Sequence, residues 1–359
     1  MKSKAWVHLE KSKRIIATGK GVRSRKTSEF HEVNWQDFPV IVFAMTIYVN
    51  NKTALRFWCM VESSLDDVTS ACSVCEVREA DASLRGVPDE LLYDAAGRKQ
   101  VLHVLVGDSL QRTKTSRIVS HLRTAPYPKG AFRRLAPGVL IASPELCFVE
   151  MAAILSLANL VELVFFFCGT YTLNPNASNP SRRLPLTTIR KQAAFIDAMG
   201  TVRGCRAARK ALALALEGSA SPRETKVSML LYMPTRLGGY GIEAPLLNYQ
   251  IDFTEREQLL FGRTHVVLDL YWPDYNLAIE YDGEEGHTDG RDIARDRRKS
   301  SEMSYRGITV LRVDKEQLSN PYQVYVLAKK CVRLMGKTLR KPTPIQLEQR
   351  KALFDAIMR

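Results

Sequence analysis

The sequence predicts an α/β chain (α+β overall) whose C-terminal part contains a mixed β-sheet flanked by helices. Residues 265–283 are rich in β-branched and aromatic residues on both sides of Pro-Asp-Tyr-Asn, a pattern typical of a hairpin. A charged helical stretch, 289–306, and an apolar strand, 308–313, follow and predict a β-α-β element. Ser-Pro-Glu at 143–145 and Ser-Pro-Arg-Glu at 221–224 are typical helix starts.

A chain of 359 residues exceeds a typical single domain, so two or three domains are expected. The boundaries predicted are 1–99, a basic N-terminal α/β region, 100–215, a middle domain, 216–335, a C-terminal domain, and 336–359, a helical tail. A net charge of +14 and a pI near 9.5 favour a polyanionic partner.

The front half combines predicted strands with helices. The most apolar segment, 146–169, predicts one buried helix, because Glu150, Asn159 and Glu162 interrupt it too often for a membrane span. We therefore expect no membrane partner, and seven Cys without a signal peptide indicate a cytoplasmic chain. The other predicted elements are strands over 40–49, 54–61, 101–106, 117–123 and 138–142, and helices over 186–199 and 203–216.

Acidic side chains concentrate on the predicted hairpin. The turn sets Trp272 opposite Leu277, which places Asp269 opposite Glu280 and Asp282 on the same face. Opposed carboxylates repel each other, and a bound Mg²⁺ is the simplest way to offset that repulsion. The alternative is a solvated carboxylate at a strand end, with a turn after it.

Basic residues crowd the helix that follows. They contact phosphates in one interpretation and form a solvated charged face in the other. The candidate nucleic-acid-binding residues are Arg291, Arg295, Arg297, Arg298 and Lys299.

The order of these residues resembles the very-short-patch-repair-like endonucleases of the PD-(D/E)XK, or restriction-endonuclease-like, superfamily. The resemblance covers about 216–330 and rests on Asp269, Glu280-Tyr-Asp282-Gly, His287, Arg-Asp-Arg-Arg at 295–298 and the strand that begins after Gly307. It implies a restriction-endonuclease-like mixed sheet and a nuclease activity that depends on Mg²⁺ or Mn²⁺.

The resemblance also implies roles for five residues. Asp269 would hold the metal at the scissile phosphate, and Glu280 would be a second ligand. Asp282 stands where the superfamily has a lysine, and it would be a third ligand or an acid behind the ligands. His287 would transfer protons. Glu224 belongs to a capping box, which explains it structurally, but an acid from this first helix often reaches the metal in the resembling nucleases.

The middle region is similar to the antitoxin-like domain of abortive-infection proteins. The residues that carry this likeness are His121, Pro-Tyr-Pro at 126–128 and 138–145, followed by the apolar helix. It implies a bacterial setting of phage defence or toxin–antitoxin function, and the predicted endonuclease would act in bacterial defence, repair or a mobile element.

These observations predict a Mg²⁺-dependent DNA endonuclease that hydrolyses phosphodiester bonds. The alternative is a non-catalytic nucleic-acid-binding regulator or antitoxin that retains a nuclease-like fold. RNA remains open as the substrate, because both nucleic acids present phosphates and only contacts to the 2′-hydroxyl would distinguish them.

Overall fold

The computed structural model describes residues 5–9, 13–17, 46–62, 70–72, 77, 80–175, 177, 179–282 and 290–358, with the backbone alone at 5–9, 13–17, 70–72 and 290–297. The chain divides into two compact units, Met1–Ala44 and Met45–Arg359. The described ranges contain twelve α-helices and twelve strands, so the chain is a mixed α/β protein, as the sequence predicts.

The first unit contains an antiparallel pair of strands, β1 (Ala5–Leu9) and β2 (Lys13–Ala17). Their register pairs Ala5 with Ala17 and Leu9 with Lys13. The described part of this basic segment is therefore a short hairpin.

A six-stranded mixed sheet forms the first half of the second unit, in the order β4-β7-β8-β3-β5-β6. The pairs β3–β8 and β5–β6 are parallel, and the other neighbours are antiparallel. Three predicted strands are confirmed as β5, β6 and β8, and the described end of a fourth is β3. The strands are β3 (Ile47–Val49), β4 (Ser70–Cys72), β5 (Leu102–Val106), β6 (Ile118–Leu122), β7 (Phe132–Ala136) and β8 (Val139–Ala142).

This sheet crosses the boundary that the sequence places between residues 99 and 100. Strand β3 lies between β8 and β5, so the segment before residue 99 contributes a central strand to it. Pairing between strands that are distant in sequence leaves no local pattern, which is why the sequence does not indicate this connection.

The strand predicted over 54–61 is wrong, because Asn51–Met60 is a helix, α1. Its aromatic and apolar composition is typical of a strand, but the buried residues Asn51, Ala54 and Trp58 recur at helical spacing. The indole Nε1 of Trp58 donates to the Ala142 carbonyl at 2.9 Å, which ties the helix to β8.

The single helix predicted over 146–169 is also wrong, because two helices occupy that segment. The chain turns after Met151, and the Ser156 hydroxyl accepts from the Asn159 amide to start the second helix. Continuous apolarity cannot reveal this break, since both helices are buried. The helices of this half are α1 (Asn51–Met60), α2 (Asp89–Leu92), α3 (Pro144–Met151), α4 (Leu157–Phe167), α5 (Ile189–Met199) and α6 (Cys205–Leu212).

The second half contains a four-stranded sheet in the order β12-β11-β10-β9. Strands β11 and β12 are parallel and are joined through α9, which confirms the predicted β-α-β connection. The elements are α7 (Pro222–Tyr232), β9 (Leu246–Asp252), α8 (Glu255–Phe261), β10 (His265–Trp272), β11 (Leu277–Tyr281), α9 (Gly290–Tyr305), β12 (Thr309–Val313), α10 (Lys315–Ser319), α11 (Pro321–Leu334) and α12 (Pro344–Ile357).

Every helix in the described ranges is too short or too polar to cross a membrane.

Candidate acidic site

The hairpin β10–β11 has the register that its turn predicts. Trp272 pairs with Leu277 and Leu270 pairs with Ile279, so the next position along each strand is Asp269 and Glu280. Asn276 ends the turn with a φ of 43°, a left-handed conformation that asparagine tolerates well. The local turn chemistry therefore brings the two acids together.

Beyond the Leu270–Ile279 pair, side-chain carboxylates accept hydrogen bonds from backbone N–H groups of the opposite strand. The Asp269 amide donates to Glu280 Oε1 at 3.3 Å, and the Tyr281 amide donates to Asp269 Oδ2 at 2.8 Å. Each acid is thus held by a backbone N–H of the opposite strand. This exchange fixes the two carboxylates side by side, with Glu280 buried and Asp269 half-buried.

Two cations from neighbouring elements neutralise part of the acidic charge. Lys299 of α9 forms an ion pair with Glu280 Oε2. Arg312, the β12 residue directly opposite Glu280, donates to Asp282 Oδ1 at 3.0 Å. Its other terminal nitrogen donates to the Ser300 hydroxyl of α9 at 3.2 Å. Asp282 is therefore held by Arg312.

The three predicted metal ligands have different partners in this arrangement. Among the described residues, no three His, Cys, Asp or Glu side chains stand together in a way that could hold a metal ion. Arg312 binds Asp282, while Asp269 and Glu280 are adjacent. His287 lies outside the described residues.

A third acid, Glu224, approaches the pair from the start of α7. Its Oε2 accepts from the Ala220 amide at 2.9 Å and from Asn248 Nδ2 at 2.6 Å. The Ser221 hydroxyl accepts from the Glu224 amide, as the predicted capping box requires. The Glu224 carboxylate accepts from the Ala220 amide instead of the Ser221 amide, so only one of the two hydrogen bonds of a capping box forms.

Mutual repulsion and burial shift the titration of all three acids. Burial raises the pKa of Asp269, and the Asp282 charge adds to the shift, whereas the Tyr281 amide and Lys299 oppose it. Burial and then repulsion from Asp269 raise the pKa of Glu280 to about 7, although Lys299 opposes the rise. Burial and then Asp269 raise the pKa of Glu224. Such clustered, perturbed acids mark candidate functional sites.

Asn248 is a site residue that the sequence analysis missed. The β9–β10 ladder pairs Leu268 with Tyr249 and Leu270 with Leu247, and so it skips the facing pair Asn248 and Asp269. Asn248 has a φ of 46°. Its side-chain Nδ2 donates to Glu224 and also to the Gly218 carbonyl, the latter at 3.0 Å. A polar residue amid Leu-Leu-Asn-Tyr is the only signal in the sequence, and it does not indicate the backbone conformation.

We expect Asn248→Ala to destabilise the protein by about 2–3 kcal/mol, because alanine disfavours this backbone conformation and loses both hydrogen bonds. Asn248→Gly removes the backbone penalty and should cost less. Urea unfolding of both variants measures the difference. If Asn248→Ala matched the wild type, Asn248 would have no role in holding Glu224.

The described basic side chains of the predicted basic helix, α9, have different environments. Lys299 points to Glu280, whereas Arg298 is exposed. The side chains of Arg291, Arg295 and Arg297 lie outside the described part, and their predicted contact with nucleic acid stays a prediction.

Two cavities of the described part of the chain lie away from the acids. One of about 570 Å³ lies between α7, α11 and α12 and is lined by tyrosines including Tyr240 and Tyr325. The other, of about 390 Å³, is lined by residues that include Asn50, His121 and Glu150. Neither cavity includes Asp269 or Glu280.

No protein-family model, curated protein or solved structure matches this chain. Its function must therefore be inferred from the acidic site itself.

Proposed function

We propose that the chain is a metal-dependent endonuclease that hydrolyses phosphodiester bonds, with DNA as the substrate. The observation that supports it is the pair Asp269 and Glu280, two adjacent carboxylates with raised pKa values at the open end of a hairpin. Their resemblance to the acids of very-short-patch-repair-like nucleases supports the same reaction, in a bacterial defence, repair or mobile-element setting.

The donor set fits a hard divalent cation. Mg²⁺ prefers oxygen ligands and usually takes one or two carboxylates together with waters and substrate phosphate. Asp269 and Glu280 would hold the ion, and Glu224 would add negative charge near Asp269. Such an ion polarises a phosphoryl oxygen and lowers the pKa of a bound water.

The chain's own residues then have separate tasks. Lys299 balances the charge of Glu280 before a cation enters, and Asn248 keeps Glu224 in place. Arg312 orients Asp282 behind the pair. His287 remains the proposed residue for proton transfer, because an imidazole titrates near neutral pH.

A cleavage panel tests the proposal. Single-stranded, duplex and mismatched DNA and single-stranded RNA are incubated with Mg²⁺, Mn²⁺ or EDTA, with Asp269→Asn as the inactive control. We expect cleavage that needs the divalent ion and increases from pH 6 to pH 8, because Glu280 must lose its proton and its pKa is raised to about 7. The proposal would be abandoned if every substrate stayed intact with either metal.

One observation favours a second candidate function, a nucleic-acid-binding regulator without catalysis. Glu280 and Asp282 each have a basic partner, Lys299 and Arg312, as in a purely structural ion-pair network. Calorimetric titration with Mn²⁺ distinguishes the two functions. A nuclease should bind the ion at the acidic site and lose that binding in Asp269→Asn, whereas a regulator should show no such dependence.

A further inference from the structure

A short β-bridged loop outside the four-stranded sheet carries an arginine toward the acidic site. Tyr171 and Arg182 form a bridge, the Thr172 amide donates to the Ser181 carbonyl at 2.9 Å, and the Arg183 amide donates to the Thr170 carbonyl at 2.9 Å. These contacts bring 170–172 and 181–183 together. Arg182 therefore has a fixed backbone.

The buried side chain of Arg183 anchors this loop to α4. Its guanidinium donates to the carbonyls of Phe166 and Leu184, each at 2.8 Å, and stacks over the Phe166 ring. Adjacent arginines thus have opposite environments, since Arg183 is buried and Arg182 is exposed.

Direct contacts join this loop to the residues that hold Glu224. The Thr170 amide donates to the Ser219 carbonyl at 2.8 Å, and the Tyr171 hydroxyl lies 3.0 Å from Thr225 Oγ1, next to Glu224. The neighbouring Gly218 carbonyl accepts from Asn248, which faces Asp269. The loop of Arg182 is consequently linked by hydrogen bonds to the residues on either side of Glu224.

Arg182 differs from the cations already at the acidic site in having no partner of its own. Lys299 and Arg312 have acidic partners, whereas Arg182 makes no side-chain hydrogen bond or ion pair with any residue in the described ranges. It is an exposed cation whose bridge partner, Tyr171, contacts the neighbour of Glu224, and its guanidinium is left for an incoming ligand.

We propose that Arg182 forms a phosphate-binding site for the nucleic-acid backbone, next to the acids of the C-terminal sheet. The proposal rests on the proposed function, since it names the substrate group that meets this site. A guanidinium binds phosphate through paired, charge-assisted hydrogen bonds, and such contacts position a nucleic acid without reading its sequence. In this arrangement the middle region supplies part of the substrate site.

Binding measurements test Arg182 separately from cleavage. Fluorescence anisotropy of a labelled DNA duplex is recorded in EDTA for the wild type, Arg182→Ala, Arg182→Lys and Arg190→Ala. Arg190 is a matched control because it is an exposed arginine of the same region, at the start of α5. A melting curve of each variant shows that the fold is intact.

We expect Arg182→Ala to weaken binding by about tenfold and to reduce the salt slope of log K by about 1, whatever the DNA sequence. Arg182→Lys should recover part of the loss, and Arg190→Ala should bind like the wild type. Equal binding by Arg182→Ala and the wild type, or no binding by the wild type, would overturn the site. Arg182-dependent binding without cleavage would retain the phosphate site and reject only the nuclease.

Discussion

Asp269→Asn is expected to lower the rate of nucleic-acid cleavage by about 10³-fold, because a loss of about 4 kcal/mol of metal-dependent stabilisation corresponds to that factor. The asparagine oxygen can still accept from the Tyr281 amide, so the hairpin should keep its shape. Binding of duplex DNA should stay equal or become tighter, because one negative charge near the phosphate is lost. Single-turnover cleavage with Mn²⁺ and anisotropy in EDTA measure the two effects.

Asp274→Asn is the matched control for this prediction. Asp274 belongs to the same hairpin, but it lies exposed in the turn Pro273–Tyr275. The same chemical change there should leave cleavage unaltered. Equal activity of Asp269→Asn and Asp274→Asn would remove Asp269 from the site.

Glu280→Gln should abolish cleavage and yet stabilise the fold at pH 8. The pKa of Glu280 is raised from 4.5 to about 7, so the folded state disfavours its ionised form. Its contribution to stability is fully present below pH 4.5 and is lost as the pH rises through 7. The neutral glutamine avoids that loss, and we expect a gain of about 1–3 kcal/mol at pH 8 that disappears near pH 4.5.

Glu257→Gln provides a control of opposite sign. Arg306 donates two hydrogen bonds to Glu257 and lowers the pKa of that carboxyl to about 2. This carboxylate stabilises the fold above its ordinary pKa, and the contribution is lost as the pH falls toward 2. Glu257→Gln should therefore lower the unfolding midpoint at pH 8. If both glutamine variants shifted it in the same direction, the assigned environment of Glu280 would be wrong.

The central part of the site is predictable from sequence because it is local. The turn at 273–276 fixes the register, and the register alone places Asp269 beside Glu280. The same holds for the β-α-β connection into β12, since a charged helical stretch and an apolar strand follow one another directly in the sequence. Local turn chemistry and side-chain periodicity were sufficient for these features.

The rest of the site depends on partners that are distant in sequence. Asp282 has the spacing of a third ligand, but its partner is Arg312, 30 positions away in a strand that only the fold brings adjacent. Asn248 and Arg182 come from segments with no composition typical of a site. The error over 54–61 has a related cause, since aromatic composition outweighed a helical spacing that only burial reveals.

The exchange of backbone N–H bonds for carboxylates at Asp269 and Glu280 has a mechanical consequence. Two strands of a hairpin normally continue to pair through their backbones, and here the two carboxylates bind backbone N–H groups directly after the Leu270–Ile279 pair. The same side chains that would hold a cation therefore also end the pairing of these strands. Apolar replacements at both positions would remove these acceptors, so a loss of the proposed ligands would also change the local geometry of the hairpin.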